Sequence, residues 1–259
     1  MRYGVLSDIH ANLHALEAAV HALEHEGVDA YLCGGDLVGY GPLPNECVEL
    51  VDELGALCVA GNHDLIALGQ LPDTRCGALA RTTLAWTRAI LTEHTRRYLR
   101  ALPLRGAVAD IVIAHGSLAN PEEYTTRPGQ AAAQLLQLEA EAPTARILVL
   151  GHTHRARAFA GDARSLSIRG PLELSASGRY VLTPGSVGQS REPVARARFV
   201  LLDTGARRAT FYAVPYDVGG CRQALVRNGL PDDACHQPPP SLASRTLRRV
   251  SAVVGRQPR

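Results

Sequence analysis

The sequence contains no lysine, so all 27 of its basic residues are arginine. This absence excludes a lysine Schiff base and the lysine of a Walker-type phosphate loop. Any phosphate contact would instead use the planar, bidentate guanidinium group of arginine. The formal net charge is only +2. This value by itself indicates neither nucleic acid nor a membrane as a partner.

The six cysteines include no C-x-x-C pair, and several lie in apolar runs, which predicts buried, reduced thiols. No apolar stretch approaches the roughly 20 residues that a membrane-spanning helix needs. The first residues, MRYGVLSD, lack the apolar region of a signal peptide. We therefore expect a cytoplasmic protein without a membrane span. With 46% hydrophobic residues, the chain can form one large α/β domain or two small ones.

The first sixty residues alternate between short apolar runs and amphipathic segments. Strands are predicted at 2–7, 29–33 and 56–60, with helices over 12–27 and 43–55 between them. This β-α-β-α-β order favours parallel strands covered by helices. Helical residues follow at 64–102, then a strand at 107–115, a helix near 129–140 and a strand at 146–151.

From about residue 155 the pattern changes to short alternating strands, which predicts an antiparallel sheet followed by a last helix over 216–228. After residue 230, PDDACHQPPP is typical of a linker, and the arginine-rich end has no acidic residue. We predict one domain over 1–230, in which the helical segment 64–102 shapes the cleft, and a Pro-rich linker with a basic helix or tail over 231–259. The basic tail is compatible with three kinds of partner: an acidic protein or ligand, a membrane surface or a nucleic acid.

Polar side chains that can bind metals follow the predicted strands at their ends. The steps from position 10 to 36 and from 36 to 62 are equal, as expected for one strand-helix unit, so these groups should converge at the carboxyl edge of one sheet. The candidate residues are Asp8, His10, Asp36, Asn62, His63, Asp64, His115, His152 and His154.

Imidazole and oxygen ligands without thiolates suit Mn, Fe, Zn, Ni or Co, and do not suit a structural zinc site. The ligands are too many for one open catalytic metal, whereas two metals about 4 Å apart with a bridging carboxylate would use them. Asp36 is central in the series and is the expected bridge. Two cations would also stabilise a carboxylate that is costly to bury alone.

The ordered motifs resemble those of the calcineurin-like metallophosphoesterase superfamily: Asp8-x-His10, Gly35-Asp36, Gly61-Asn62-His63-Asp64, His115-Gly116 and Gly151-His152-x-His154. The longer stretches SDIHANLHALEAA, GDLVGYGPLPNEC and TPGSVGQSR are similar to its bacterial phosphodiesterase-like branch. The resemblance covers roughly residues 1–230. It implies an α/β fold, a four-layer α/β/β/α sandwich in which two mixed sheets face each other.

The resemblance further implies a dinuclear site, with manganese as the expected metal and Fe, Zn, Ni or Co as alternatives. It places Asp8, His10, Asp36 and His154 on one metal, and Asp36, Asn62, His115 and His152 on the other. It implies that His63 stabilises or protonates the leaving oxygen and that Asp64 orients His63. The two metals would lower the pKa of a shared water, so that a bridging hydroxide attacks phosphorus in line.

Four further residues are candidates for substrate contact. Arg191 follows glycines in a loop that can approach a phosphate, and its guanidinium can grip that phosphate. Tyr40 and Tyr124 are candidate contacts, and Asn12 is either a contact or the cap of the following helix.

We expect a phosphodiesterase that hydrolyses a small, nucleotide-like ester. The alternatives are a broad phosphomonoesterase or protein-phosphatase-like enzyme, a non-enzymatic interaction scaffold and a nuclease. Protein phosphatases of the superfamily carry an arginine soon after the residues that correspond to Asp36 and His63, and this sequence has none there, which argues against a phosphoprotein substrate. The oligomeric state is left open.

Overall fold

The computed structural model describes residues 1–239 and contains two six-stranded sheets packed face to face, with helices on both outer faces. This architecture confirms the predicted α/β/β/α sandwich. The strands are β1 (Arg2–Leu6), β2 (Ala30–Cys33), β3 (Leu57–Cys58), β4 (Arg105–Val108), β5 (Ile111–Ala114), β6 (Ile147–Leu150), β7 (Ala156–Ala160), β8 (Arg164–Leu166), β9 (Leu172–Glu173), β10 (Tyr180–Pro184), β11 (Ala197–Asp203) and β12 (Arg208–Val214). The helices are α1 (Leu13–His25), α2 (Pro44–Glu53), α3 (Asn62–Ala67), α4 (Ala78–Ile90), α5 (Glu93–Ala101), α6 (Pro128–Glu141) and α7 (Val218–Arg227).

The first sheet has the strand order β3-β2-β1-β11-β12-β9. Its strands β1, β2 and β3 are parallel, as the β-α-β-α-β pattern predicts. Strand β11 pairs antiparallel with β1, with Val200 opposite Val5, and makes the sheet mixed. The three parallel strands therefore end at one edge, where their following loops can meet.

The second sheet has the order β4-β5-β6-β10-β7-β8, in which β5, β6 and β10 are parallel. The prediction of one antiparallel sheet after residue 155 is wrong, since β7, β8 and β10 join this sheet while β9, β11 and β12 join the first. Alternation of apolar and polar residues shows that one face of a strand is buried. Both sheets bury one face in the same central core, so this alternation does not tell which sheet the strand joins.

Two shorter segments also differ from the prediction. The strand expected at 107–115 is a hairpin of β4 and β5, which turns at Ala109 with a φ of 52°. Apolar residues flank this turn on both sides, so hydrophobicity alone does not reveal it. The helical segment 64–102 consists of three helices, with an irregular loop between α3 and α4.

Three apolar layers hold the sandwich together. Leu16 and Leu23 of α1 pack on the first sheet, Val5 and Val149 meet between the two sheets, and Leu135 of α6 packs on the second sheet. Side chains of β1 alternate between the helix side and the central layer, as the two-residue period of a strand requires. The packing fixes the two sheets relative to each other and thereby aligns their carboxyl edges.

The chain after residue 230 does not leave this body at once. Ala234 and Cys235, in the predicted linker, are buried against Cys221 and Leu225 of α7. The domain boundary at residue 230 stays a prediction, but the start of the linker is packed. The predicted basic helix or tail over 240–259 lies outside the described residues.

All six cysteines are free thiols, and five of them are buried while Cys76 is partly exposed. Within residues 1–239, no helix combines the length and the apolar character that crossing a bilayer requires.

Candidate metal centre

The predicted ligands lie at one edge of the sandwich, each just beyond the end of a strand. All seven are buried, with at most 7% of any residue exposed. Residues that are distant in sequence meet here because parallel strands of both sheets end at this edge. They are Asp8 and His10 after β1, Asp36 after β2, Asn62 after β3, His115 after β5, and His152 and His154 after β6.

Five of these seven residues have a left-handed backbone, with φ between 49° and 64° (Asp8, His10, Asp36, His152 and His154). Residues other than glycine seldom adopt this conformation, which costs of order 1–3 kcal/mol each where the surroundings enforce it. Such outliers cluster at functional sites, because the fold must hold side chains in a set direction. The backbone itself therefore marks this edge as a candidate site.

The side chains form two groups that share one carboxylate. Asp8, His10, Asp36 and His154 form the first group, and Asp36, His115 and His152 form the second, with the possible ligand atoms of each group within 4.8 Å of one another. Asn62 adjoins the second group, since its Oδ1 atom lies 3.1 Å from Nε2 of His115. The shared residue is Asp36, the predicted bridge.

Hydrogen bonds to backbone carbonyls set the direction of three imidazoles. His10 Nδ1 lies 3.1 Å from Val38 O, His115 Nδ1 lies 2.6 Å from Gly34 O, and His154 Nδ1 lies 2.8 Å from Gln189 O. A carbonyl only accepts, so Nδ1 carries the proton in each ring. In the neutral rings of His10 and His154, the unprotonated Nε2 then faces into the site, which is the arrangement of metal-binding histidines.

Several inward-facing atoms have no satisfactory protein partner. Asp36 Oδ2 and His152 Nε2 are buried without a hydrogen bond among the described residues. The Nε2 atoms of His10 and His154 are only 3.1 Å apart, although two lone pairs repel each other at this distance. A cation held between these atoms would satisfy all of them, so the residues fit divalent metals.

The charges of the site support the same conclusion. Burial lowers the pKa of His10 and His154 well below the usual range and that of His152 to about 3, so these rings are neutral at pH 7. Burial opposes charge on His115 too, but Asp36 outweighs it and raises the pKa of His115 to about 10. Three of the four imidazoles thus have the neutral form that binds metals.

The pKa values of the two carboxylates shift in opposite directions, although burial disfavours charge on both. Burial raises the pKa of Asp8 to about 7. Burial also disfavours charge on Asp36, but the neighbouring His115 and His63 hold the pKa of Asp36 well below its usual range. Asp36 is therefore the ionised centre of the site, 3.3 Å from His115 Nε2 and 3.6 Å from His10 Nε2.

Asp64 does not orient His63, contrary to the prediction. Its carboxylate instead accepts hydrogen bonds from backbone amides of Asp36, Leu37 and Val38, and from that of Gly61. Asp64 thereby ties the loop after β2 to the start of α3. Its effect on the site is to position Asp36.

His63 lies in the first turn of α3, beside the metal groups. Its backbone amide donates to Asp36 Oδ1 at 2.7 Å, and its ring packs 4.8 Å from the rings of His10 and Tyr40. Gly61 precedes this turn, and a Cβ at that position would lie 2.1 Å from Asp36 Oδ1, so only glycine allows the close approach. His63 Nδ1 is buried without a hydrogen bond among the described residues.

A cleft of about 130 Å³ opens over the two groups. Tyr40 packs 4.7 Å from the ring of His10, and Tyr124 packs 4.1 Å from the ring of His152. Arg191 reaches into the cleft, with Nη2 3.4 Å from His154 Nε2. The structure thus places three of the four predicted substrate contacts at the cleft.

Asn12, the fourth predicted contact, is not available to substrate. It is fully buried, and its Oδ1 accepts from the amide of Ala15 while its Nδ2 donates to Gly188 O. Asn12 caps α1 and ties that helix to the loop carrying Arg191. The alternative role that the sequence offered for Asn12, a helix cap, is confirmed.

Sequence reasoning missed an ion pair at the mouth of the cleft. Arg75 Nη1 lies 3.2 Å from Glu122 Oε2 and joins the loop before α4 to the loop after β5. Cys76 and Ala80, beside Arg75, also line the cleft. No motif or periodicity marks these loop residues, although Arg75, Cys76 and Ala80 fall in the segment 64–102 expected to shape the cleft.

Removal of divalent metal is expected to lower the melting temperature by about 5–10 °C, given a ligand present at about 100 times its dissociation constant. The reason is that Asp8 and Asp36 are buried and a cation neutralises them. Differential scanning calorimetry of protein with EDTA and with excess Mn²⁺ measures the shift. A melting temperature that does not change with metal would contradict it.

The chain belongs to the calcineurin-like phosphoesterase family, whose model matches residues 1–158. Members of this family are hydrolases that use divalent metals. The buried Asp and His groups described above lie largely within the matched residues.

Three proteins are similar to this chain along nearly their whole length. It is 34% identical to a metallophosphoesterase from Sphaerobacter thermophilus, with a TM-score of 0.77, over 94% of this chain and 99% of that one. It is 29% identical over 234 residues to an uncharacterised protein of Methanocaldococcus jannaschii, covering 88% of this chain and 93% of the relative. A hypothetical protein of Pyrococcus horikoshii OT3 is 23% identical, with a TM-score of 0.73 over 90% of this chain and 96% of that one, and shows the fold alone.

Proposed function

We propose that this protein is a dinuclear phosphodiesterase that hydrolyses a small, nucleotide-like phosphodiester. The observation that carries the proposal is the position of Asp36, whose carboxylate belongs to both groups of ligands. Its Oδ2 atom is buried without a hydrogen bond among the described residues. A shared carboxylate with an oxygen that makes no hydrogen bond is what a pair of adjacent metals requires.

One metal would be held by Asp8, His10, Asp36 and His154, and the other by Asp36, Asn62, His115 and His152. When bound, the two cations supply a nucleophile by lowering the pKa of water, and they neutralise charge on the phosphoryl oxygens. Manganese is the proposed metal, because a mixed set of imidazole and oxygen ligands without thiolate suits it. Iron, zinc, nickel and cobalt fit the same ligands.

His63 and Arg191 would act on the substrate itself. Burial lowers the pKa of His63, so the ring is neutral at pH 7 and carries one N–H, which can donate to the leaving oxygen. Arg191 would bind a phosphoryl oxygen through its guanidinium, since that group faces the cleft beside His154. Tyr40 and Tyr124 would contact the organic groups on either side of the phosphate.

The charge of the cleft supports a diester as substrate. Two arginines line it, but Arg75 is paired with Glu122 at 3.2 Å. Among the described residues, Arg191 is then the cleft arginine without a carboxylate within 4 Å. One free guanidinium matches the single negative charge of a phosphodiester better than the double charge of a monoester. The volume of about 130 Å³ supports a small substrate over a phosphoprotein or a duplex.

We also propose that 1–230 acts as the catalytic domain, with 64–102 as a cleft-shaping segment, and that the protein works in the cytoplasm. Arg75, Cys76, Gly77 and Ala80 of that segment line the cleft, which supports the first proposal. The six free thiols suit a reducing compartment, which supports the second.

The proposal predicts that the manganese-loaded protein hydrolyses bis(p-nitrophenyl) phosphate with a kcat/KM about ten times that for p-nitrophenyl phosphate, or more. A difference of about 1.4 kcal/mol in transition-state binding suffices for this ratio. Release of p-nitrophenol is measured for both substrates, together with the metal content of the same sample. A ratio below one would favour the monoesterase alternative. Two bound metals with no turnover of either ester would contradict the proposal and favour a non-enzymatic scaffold.

A further inference from the structure

Hydrogen bonds at the end of β1 anchor the loop that carries Arg191 over residues 186–189. Ser186 Oγ donates to Asp8 O at 2.7 Å, Gly188 N donates to the same carbonyl, and Gln189 N donates to Ser186 Oγ at 2.8 Å. These bonds anchor the loop to the end of β1. These hydrogen bonds end at Gln189, two residues before Arg191, whose side chain enters the cleft.

A second segment holds the loop on both sides of Arg191. We call residues 231–237 the C-terminal strap. Ser190 N donates to Cys235 O at 3.1 Å, and Gln237 N donates to Ser190 O at 2.9 Å. His236 Nε2 lies 2.9 Å from Glu192 O and must donate to it, because a carbonyl only accepts. Ser190 and Glu192, the residues on either side of Arg191, are thus both bonded to the C-terminal strap.

The C-terminal strap is itself anchored to the body of the protein. Ala234 and Cys235 are buried with Cys221, Leu225 and Leu230. Leu79 and Trp86 of α4 pack against the same cluster. The packed helices α4 and α7 therefore hold the C-terminal strap in place, and the strap holds the backbone of the loop that carries Arg191.

Arg191 has few other contacts that would fix it. Its Nε donates to Gln189 Oε1 at 3.2 Å, and its backbone O accepts from Arg155 Nη2 at 3.4 Å. A flexible arginine loses conformational entropy when it binds a phosphate. A fixed backbone already restricts the positions of the guanidinium, so less entropy is lost on binding. Holding residues 190 and 192 therefore favours substrate binding without any contact with the substrate.

We propose that the C-terminal strap positions Arg191 for substrate, with His236 as the positioning residue. This inference rests on the proposed function, because it assigns the phosphoryl oxygen to Arg191. The inference gives a role to residues 231–237, whose composition is typical of a linker.

The test is a double-mutant cycle of wild type, His236→Ala, Arg191→Ala and the double variant, on manganese-loaded full-length protein. His236→Ala is expected to raise KM for bis(p-nitrophenyl) phosphate about 3- to 10-fold, with kcat within twofold. Arg191→Ala is expected to raise KM about 10- to 100-fold. The double variant should match Arg191→Ala alone, because His236 acts through Arg191.

Three comparisons separate positioning from mere folding. His236→Gln should restore KM, because the amide Nε2 of glutamine can donate to Glu192 O. The melting temperature and metal content of His236→Ala should equal those of wild type. His94→Ala, at a half-buried histidine on α5 that pairs with Asp52, should leave KM unchanged. An additive cycle, or a failure of His236→Gln to restore KM, would overturn the inference.

Failure of the proposed function would be recognised separately. If the wild type hydrolyses neither model ester, the proposed function fails, and affinity for inorganic phosphate is measured calorimetrically on the same four proteins. The C-terminal strap is supported if His236→Ala weakens phosphate binding only where Arg191 is present. It is rejected if the two substitutions weaken binding independently or if His236→Ala has no effect.

Discussion

Replacement of Asp36 by asparagine is expected to lower kcat/KM for a phosphodiester by about 10³-fold or more. Loss of the shared carboxylate weakens both metal positions, and metals contribute several kcal/mol to stabilising the transition state. The neutral amide can still accept from the backbone amide of His63 through its oxygen, so the local fold should be retained. The expected loss of kcat/KM is large because the single charge of Asp36 serves both groups of ligands.

Metal content and steady-state kinetics together check this prediction. Elemental analysis should show two metals per chain in the wild type and one or fewer in Asp36→Asn. The matched control is Asp52→Asn, which removes the same charge from a half-exposed side chain on α2 that pairs with His94. Retention of both metals, or of a tenth of the activity, would show that Asp36 is not the bridge.

Replacement of His63 by alanine is expected to lower kcat about 10²- to 10⁴-fold while both metals stay bound. His63 lines the cleft and belongs to neither ligand group, so it can serve the leaving oxygen without holding a metal. Its ring packs against Tyr40 and His10, and truncation leaves a space there. His63→Asn, which keeps more of the volume, should show the same loss of activity.

The leaving group tests whether the N–H of His63 donates a hydrogen bond to the leaving oxygen. The loss of kcat should be smaller for the p-nitrophenyl ester of thymidine 5′-phosphate than for the phenyl ester, since p-nitrophenolate leaves without a proton. His94→Ala serves as the control, because it removes a half-buried imidazole that does not line the cleft. Equal losses for both esters would reject His63 as a hydrogen-bond donor to the leaving oxygen, and loss of metal in His63→Ala would identify His63 as a ligand.

Much of this site is visible in the sequence because its ligands follow strands. The apolar runs that end at Asp8, Asp36 and His115 are local, and their spacing follows from the length of a strand-helix unit. Asp36 also occupies the shared position that its place in the series indicated. A polar residue after a buried strand is thus a signal that requires no knowledge of distant contacts.

Other roles depend on partners that the sequence does not reveal. Asp64 follows His63 directly, yet its carboxylate bonds to the amides of a loop nearly thirty residues earlier and positions Asp36. Arg75 and Glu122 are 47 residues apart and meet only because two irregular loops close over the cleft. Loops have no hydrophobic period, so no pattern predicts which residues they bring together.

The sequence by itself determined the strand-helix units of the first sixty residues and the chemistry of the ligands, because both follow from local periodicity and residue type. Tertiary structure alone decided how the later strands divide between two sheets, since either sheet offers the same buried face to an alternating strand. It also decided that residues 231–237 are packed beside Arg191. Burial of Ala234 and Cys235 against α7 overrides the linker-like composition around them, because packing of distant apolar surface is not encoded in local composition.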